Sequence, residues 1–181
     1  ASNKGEPNNF HIGFRNTCRS TDVRTGIFSV LPRVFIGNNA PIIQTGKGEI
    51  LDLSLLACLN SFSLDYALRN KIGGIALNFF IVEQIPTLSP DRFIGKVLNL
   101  LIPRVFELVF TAWDLQSFAD EVWQHADGEL RGLLVKQREA NADITEIEAS
   151  AFLPPSWARP LAGGCPFPPF LWDEERRFDL R

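Results

Sequence analysis

FRNTCRSTDVRTGIFSVLP, residues 14–32, is the stretch of this 181-residue chain that decides its fold class. Its two ends are apolar and predict strands, while its middle is polar and carries three arginines. Two later stretches complete the pattern. LLACLNSFSLDYALRNKIGG, residues 55–74, predicts a helix that ends at a basic turn containing two glycines, and NFFIVEQIP follows at residues 78–86. Strands followed by helices indicate an α+β fold.

The N-terminal half predicts short, mixed strands with helices packed on them. Residues 10–15 and 25–31 alternate enough to predict two strands, joined by a loop of Asn, Thr, Ser, Asp and Arg. Further short strands are expected at Val34–Ile36 and Ile42–Gln44. Apolar spacing predicts a helix over Leu51–Ser61, which continues to about Asn70, and residues 75–83 are expected to be extended.

The C-terminal half is predicted to be helical. Ser89 followed by Pro90 favours a helix start, and that helix is expected to end near Ile102, because Pro103 cannot continue it without a kink. Pro103 would then open a second helix through about Ala112. Two more helices are predicted over residues 114–123 and 128–141.

A tail rich in proline and aromatic residues follows. Six of the twelve prolines lie between residues 154 and 169, so this tail is not expected to form a regular helix or a central strand. Its aromatic residues predict contact with another surface: Trp157, Phe167, Phe170 and Trp172. The predicted organisation is therefore three regions, residues 1–90, 91–152 and 153–181.

Composition excludes several classes of protein. The hydrophobic fraction of 45% and the charged fraction of 22% are ordinary for a soluble globular chain. The three cysteines lack the spacing of a zinc site, and their odd number argues against a disulfide framework. No metal is predicted, and a reducing cytoplasm is the expected location. No stretch is long and apolar enough to predict a membrane span or a signal peptide.

The net charge of −3 is unevenly distributed. Residues 1–90 hold 8 basic and 6 acidic residues, and residues 91–181 hold 10 basic and 15 acidic residues. Affinity for phosphate depends on the local density of cations, so a basic surface on an acidic body is compatible with DNA binding.

The arginine loop, residues 15–25, is the strongest candidate site. Arginine matches guanine edges and phosphates with two donors, and Ser, Thr and Asn reach bases or backbone. The candidate contacts are Arg15, Asn16, Thr17, Arg19, Ser20, Thr21 and Arg24. The alternative is a solvated loop whose arginines pair with Asp22 or with strand-end carbonyls. Arg24 is the residue that best fits this structural role.

The glycine turn, residues 69–78, which begins with Arg69 and Asn70, is the second candidate. Gly73 and Gly74 permit a positive φ and close approach of the backbone, and Lys71 offers a charge to a phosphate. A glycine pair after a helix is also the usual form of a C-terminal cap. Asn60 and Ser61 are expected to cap helices. Phe79 and Phe80 can stack on a base, although core packing is the expectation that we favour.

The order of these features resembles the C-terminal target-recognition region of bacterial type IIG-like restriction-modification enzymes and adenine-specific DNA methyltransferases. The resemblance is most specific at residues 14–32, 60–86, 104–113 and 165–177. It implies that Lys71 and Asn78 contact double-stranded DNA alongside the loop. It also implies that S-adenosylmethionine binds in an N-terminal methyltransferase domain of the same polypeptide, which would methylate a flipped adenine in phage defence.

The catalytic motifs of that family do not occur in the sequence. No cofactor is therefore predicted in this chain, and no catalytic residue is assigned. The chain contains no methionine, which either removal of a starting Met or origin as a fragment explains, and we favour a fragment. The alternative function is a protein-interaction module that docks through its helical body and its tail. A small stand-alone enzyme is the least supported interpretation, because no catalytic constellation is present.

Overall fold

A computed structural model describes residues 10–34, 37–142 and 162–180. The chain divides between Phe93 and Ile94 into two compact units. The first unit combines a small sheet with helices, and the second is helical, so the predicted α+β class is confirmed.

The sheet of the first unit has three strands in the order β2-β1-β3. Their bounds are β1 Phe10–Phe14, β2 Phe28–Pro32 and β3 Ile42–Ile43. All pairings are antiparallel, whereas mixed strands were expected. Side chains two residues apart share one face of a sheet. One face of β1 and β2 is buried in this way, and it carries Phe10, Ile12, Phe14, Phe28 and Val30.

Two strand predictions need correction. The second strand was expected to start at Thr25, but it starts at Phe28, because the N–H groups of Thr25 and Gly26 donate to the Asp65 carboxylate instead of a strand partner. Val34 lies outside any strand, and the rest of the strand expected there falls outside the described residues.

The helices of the first unit are α1 Glu49–Leu59, α2 Phe62–Lys71 and α3 Phe79–Val82. The two longer helices agree with the prediction, and α1 packs against β2 through a buried leucine face. The short helix replaces a segment that was expected to be extended. Asn78 caps it, since its side-chain oxygen accepts the Ile81 N–H at 3.2 Å.

The second unit contains α4 Lys96–Val109, α5 Gln116–His125, α6 Gly128–Ala142 and α7 Glu174–Leu180. The predicted break at Pro103 is wrong, because α4 runs through it. Pro103 is buried with Ile102, Val105 and Phe106, so burial of this face outweighs the hydrogen bond that proline cannot make. Ser89 and Pro90 open only a 3-10 turn, and Gly95, with φ of 50°, precedes α4.

The described part of the tail packs on its own unit. The Phe170 N–H donates to the Phe110 carbonyl at 2.8 Å, and the rings of Phe167 and Phe170 both meet Phe106 edge-on. Residues 162–173 are irregular, as predicted, and α7 follows the last proline. Trp157 lies outside the described residues.

A buried carboxylate joins α7 to the rest of the second unit. Glu107 of α4 accepts both Nε and Nη2 of Arg176, at 2.5 Å and 2.8 Å. Gln137 and Asn141 of α6 donate to the same carboxylate. Three helices, α4, α6 and α7, therefore meet at one charge, which holds the end of the proline-rich segment in place although that segment has no regular structure of its own.

Among the described residues, no single helix has both the length and the hydropathy of a membrane span. Helices α1 and α2 meet both criteria when they are counted together, but the chain bends by 64° between them. Within the same residues, no group of three or more His, Cys, Asp or Glu side chains is placed to hold a metal ion.

Candidate nucleic-acid interface

The arginine loop and the glycine turn lie side by side. The Cys18 N–H donates to the Ile75 carbonyl at 3.0 Å, and the Leu77 N–H donates to the Asn16 carbonyl at 2.6 Å. An isolated antiparallel bridge lies between these two hydrogen bonds, formed by Thr17 and Ala76. The pairing brings two candidate segments, more than fifty residues apart in sequence, onto one surface of the first unit.

One carboxylate of α2 holds the arginine loop in place. Asp65 is buried, and its Oδ1 accepts the N–H groups of Thr25 and Gly26, both at 2.8 Å. Its Oδ2 accepts Nε of Arg69 at 3.0 Å, and Arg24 lies 3.7 Å away. Burial alone would raise the pKa of Asp65, but the Gly26 N–H and the two guanidinium groups outweigh it, and the pKa lies below its usual value.

Arg69 completes the attachment from the other side. Its Nη1 donates to the Ser20 carbonyl at 3.0 Å, and its Nη2 donates to the Val23 carbonyl at 2.5 Å. A single guanidinium therefore bridges the helix and two points of the loop backbone. Sequence analysis missed this role, although the spacing of Asp65 and Arg69, four residues apart on a helix, signals an ion pair.

Two of the predicted DNA contacts also build the loop. Arg15 pairs with Asp22 at 3.0 Å and donates to the Arg24 carbonyl at 2.8 Å. Arg24 donates to the Asn60 carbonyl at 2.6 Å, and its guanidinium lies 5.2 Å from the centre of the Phe62 ring. The structural alternative considered for the loop therefore describes both residues well, Arg24 in particular.

Most of the remaining candidates are exposed. Eight of the nine lie at the surface, on the two segments that the bridge joins: Thr17, Arg19, Ser20, Thr21, Lys71, Gly73, Gly74 and Asn78. Within the part of the chain that the structure describes, no hydrogen bond or ion pair engages the side chains of Arg19 and Lys71. Asn16 is half-buried, and its backbone is paired on both sides, with Asn39 and Leu77.

The electrostatic balance of this surface is positive. The arginine loop, α2 and the glycine turn together carry five basic residues (Arg15, Arg19, Arg24, Arg69 and Lys71) and two acidic ones (Asp22 and Asp65). Because both carboxylates are already paired with arginines, the charge offered to solvent comes mainly from Arg19 and Lys71.

The two glycines of the turn have no structural requirement within the described residues. Neither has a positive φ, and a Cβ built on either one meets nothing within 4 Å. The residue that ends α2 is Ile72, so the glycine pair does not form its C-cap. Close approach of another molecule to the bare backbone, the role proposed from sequence, stays a prediction.

Asn60 and Ser61 have the capping roles that were expected. Ser61 accepts the Leu64 N–H and starts α2. The side chain of Asn60 accepts the Phe28 N–H at 3.2 Å and donates to the Phe28 carbonyl at 2.9 Å, so it ties the end of α1 to β2.

The prediction of core packing for the two phenylalanines is wrong for Phe80. Its side chain is 71% exposed. Phe79 is 44% exposed and packs edge-on against Phe14, with ring centres 5.4 Å apart. The apolar run was misleading because a single turn of helix has only one side to bury.

Comparisons with known protein families, with curated proteins and with solved structures found no match to this chain.

Proposed function

We propose that this chain is a DNA target-recognition region, which binds duplex DNA through the arginine loop and the glycine turn and positions an adenine for an adenine-specific methyltransferase domain. The observation that carries the proposal is the backbone pairing between the loop and the turn. It assembles cationic, hydroxyl and amide side chains with an unobstructed glycine backbone on one surface, and these are the groups that contact phosphates and base edges.

The proposal assigns two separate roles to the basic residues. Arg15, Arg24 and Arg69 hold the loop through ion pairs and carbonyl contacts. Arg19 and Lys71 are the cations that contact DNA, assisted by the neighbouring polar side chains. Because the loop is already fixed before binding, little conformational entropy is lost when DNA binds.

The chemistry itself lies outside this chain. In the proposed parent, a fused restriction-modification enzyme or a methyltransferase, the catalytic domain binds S-adenosylmethionine and receives the flipped adenine. Such an enzyme acts in the bacterial cytoplasm, in defence against phage.

The buried cysteines pack as apolar side chains. Burial raises the pKa of the Cys18 thiol, and it raises the pKa of the Cys165 thiol to about 12.

The proposal is tested by fluorescence anisotropy with a labelled duplex over a series of salt concentrations. We expect weak binding that falls steeply with salt, and an Arg19→Ala/Lys71→Ala double variant that binds less tightly. Each phosphate contact contributes about −0.9 to the slope of log K against log salt, so the slope should flatten by about 2.

A Lys47→Ala/Arg92→Ala double variant is the matched control, because it removes the same charge from two other exposed positions of the first unit. It should retain both affinity and slope. Equal losses in the two double variants would mean that the chain responds only to net charge, and the proposed interface would be wrong.

The alternative, a protein-interaction module that docks through its helical body and its tail, has less support. Phe167 and Phe170, which the tail was expected to offer to a partner, contact Phe106 of the same unit.

A further inference from the structure

The first unit leaves apolar side chains exposed beside its cationic surface. Phe80 is 71% exposed, Ile75 is 63% exposed and Val23 is 95% exposed. The latter two belong to the contacting segments themselves, because the Ile75 carbonyl accepts the Cys18 N–H and the Val23 carbonyl accepts Arg69. Apolar side chains exposed singly are normal on a protein surface, whereas several on neighbouring segments are typical of a binding surface.

Two contacts fix the backbone that presents Phe80. Asn78 caps α3 through the Ile81 N–H, and the ring of Phe79 packs edge-on against Phe14 of β1. The neighbour of Phe80 is therefore anchored to the sheet, while Phe80 itself remains in solvent. The backbone at Phe80 is therefore fixed before a partner binds, so on binding only the side chain loses freedom.

The composition around Phe80 indicates the kind of partner. Lys71, Gly73, Gly74 and Asn78 precede it by two to nine residues, and Arg19 follows the segment that pairs with residues 75–77. A protein partner that covered this region would have to be acidic as well as apolar. Duplex DNA satisfies both demands, because its phosphates neutralise the cations and its stacked bases accept an apolar ring.

We propose that Phe80 is an apolar wedge that enters the duplex between adjacent base pairs and partly unstacks them while Arg19 and Lys71 hold the flanking phosphates. Proteins that kink DNA insert phenylalanine or other apolar side chains in this way. The inference rests on the proposed function, and it adds that the bound DNA is locally deformed rather than straight.

The test uses duplexes that carry 2-aminopurine at successive positions, whose fluorescence rises when the base loses its stacking neighbours. The wild-type chain should raise the signal at one step. Phe80→Ala should abolish that rise and weaken binding about tenfold, since stacking on an aromatic side chain contributes at that level. The salt slope should be unchanged, because the phosphate contacts remain, and Phe80→Trp should restore the signal.

Phe178→Ala is the matched control, because Phe178 is 78% exposed and lies on α7 of the second unit. It should change neither signal nor affinity. DNA binding with no fluorescence rise at any position would overturn the wedge and leave the proposed function intact. No binding of DNA at all would overturn both.

Another molecule that could cover Phe80 is a second copy of the chain, and analytical ultracentrifugation tests for it. If wild type self-associates, and Phe80→Ala abolishes the association without affecting DNA, then Phe80 belongs to an interface between copies and the wedge is wrong.

Discussion

Asp65 shows how much of the candidate site depends on a single side chain. It accepts two backbone N–H groups of the arginine loop and pairs with Arg69, which in turn donates to two carbonyls of the same loop. Without it, two buried donors and a guanidinium would lose their partner. The loop therefore has a defined path although it contains no regular structure.

Asp65→Asn is expected to lower the free energy of unfolding by about 1–3 kcal/mol, because a neutral amide satisfies the buried donors poorly and leaves Arg69 without a counter-charge. Asp22→Asn removes a half-exposed partner of Arg15 and should cost about 1 kcal/mol or less. Urea denaturation measures both. If the two variants lost the same free energy of unfolding, burial of Asp65 would not strengthen its contacts.

The same residue predicts a dependence of stability on pH. Since the folded state lowers the pKa of Asp65, its ionised form stabilises the fold above the unfolded pKa of about 4, and that stabilisation is lost as the pH falls through the lower folded pKa. The stability gap between wild type and Asp65→Asn should therefore narrow on acidification. A gap that stays constant from neutral pH to about pH 2 would contradict this.

Asp52, in the first turn of α1, should behave in the opposite way. Burial raises its pKa, against the hydrogen bond from Thr45, so ionisation opposes folding as the pH rises above the unfolded pKa of about 4. We expect Asp52→Asn to be neutral or stabilising at pH 7, measured by urea denaturation beside Asp65→Asn. Strong destabilisation would show that the ionised carboxylate is needed.

At the scale of elements, the glycine turn offers the clearest separation of stability from function. Gly73→Ala/Gly74→Ala should leave the free energy of unfolding unchanged or raise it by up to about 1 kcal/mol, because both positions have ordinary φ and open space. DNA affinity should fall, since the added methyl groups obstruct approach to the backbone. Thermal unfolding and anisotropy measure the two effects.

Gly48→Ala is the contrasting control. Its φ is 93°, which an alanine adopts only with strain, so this variant should lose about 1 kcal/mol of stability while DNA affinity is retained. If the double variant at the turn lost stability and Gly48→Ala did not, the assigned backbone conformations would be wrong.

The elements also show where prediction from sequence succeeded. Apolar spacing located α1 and α2, and alternation located β1, because each buries one face that repeats regularly. The break at Pro103 was wrong because the local cost of proline was weighed without the burial of the whole face of α4. The short helix α3 was missed because a four-residue element has no periodicity, and Asn78 was its only signal.

At the scale of the whole molecule, sequence singled out two segments that the fold brings together, but not which of their arginines are held in ion pairs. The presence of Arg15, Arg19 and Arg24 in one loop was evident, whereas the choice between ion pairing and exposure depends on Asp65 and Arg69 from a distant helix. Long-range contacts of this kind carry no local pattern, so only the fold could separate supporting arginines from exposed ones.

The second unit depends on its own central charge, which provides a prediction for the molecule as a whole. Glu107→Ala should destabilise this unit by about 3–5 kcal/mol, because Arg176 and two amides lose a buried acceptor. Limited proteolysis should then cut near α7 more quickly. The salt slope of DNA binding should be unaffected, and a flattened slope would place part of the interface in the second unit.

The attachment of the arginine loop through its backbone has an evolutionary consequence. Asp65 and Arg69 bind N–H and carbonyl groups, which every amino acid supplies, so the exposed positions Thr17, Arg19, Ser20 and Thr21 are free to mutate without altering the course of the loop. If the proposed function holds, a few substitutions at these positions would change the target sequence without changing the shape of the loop.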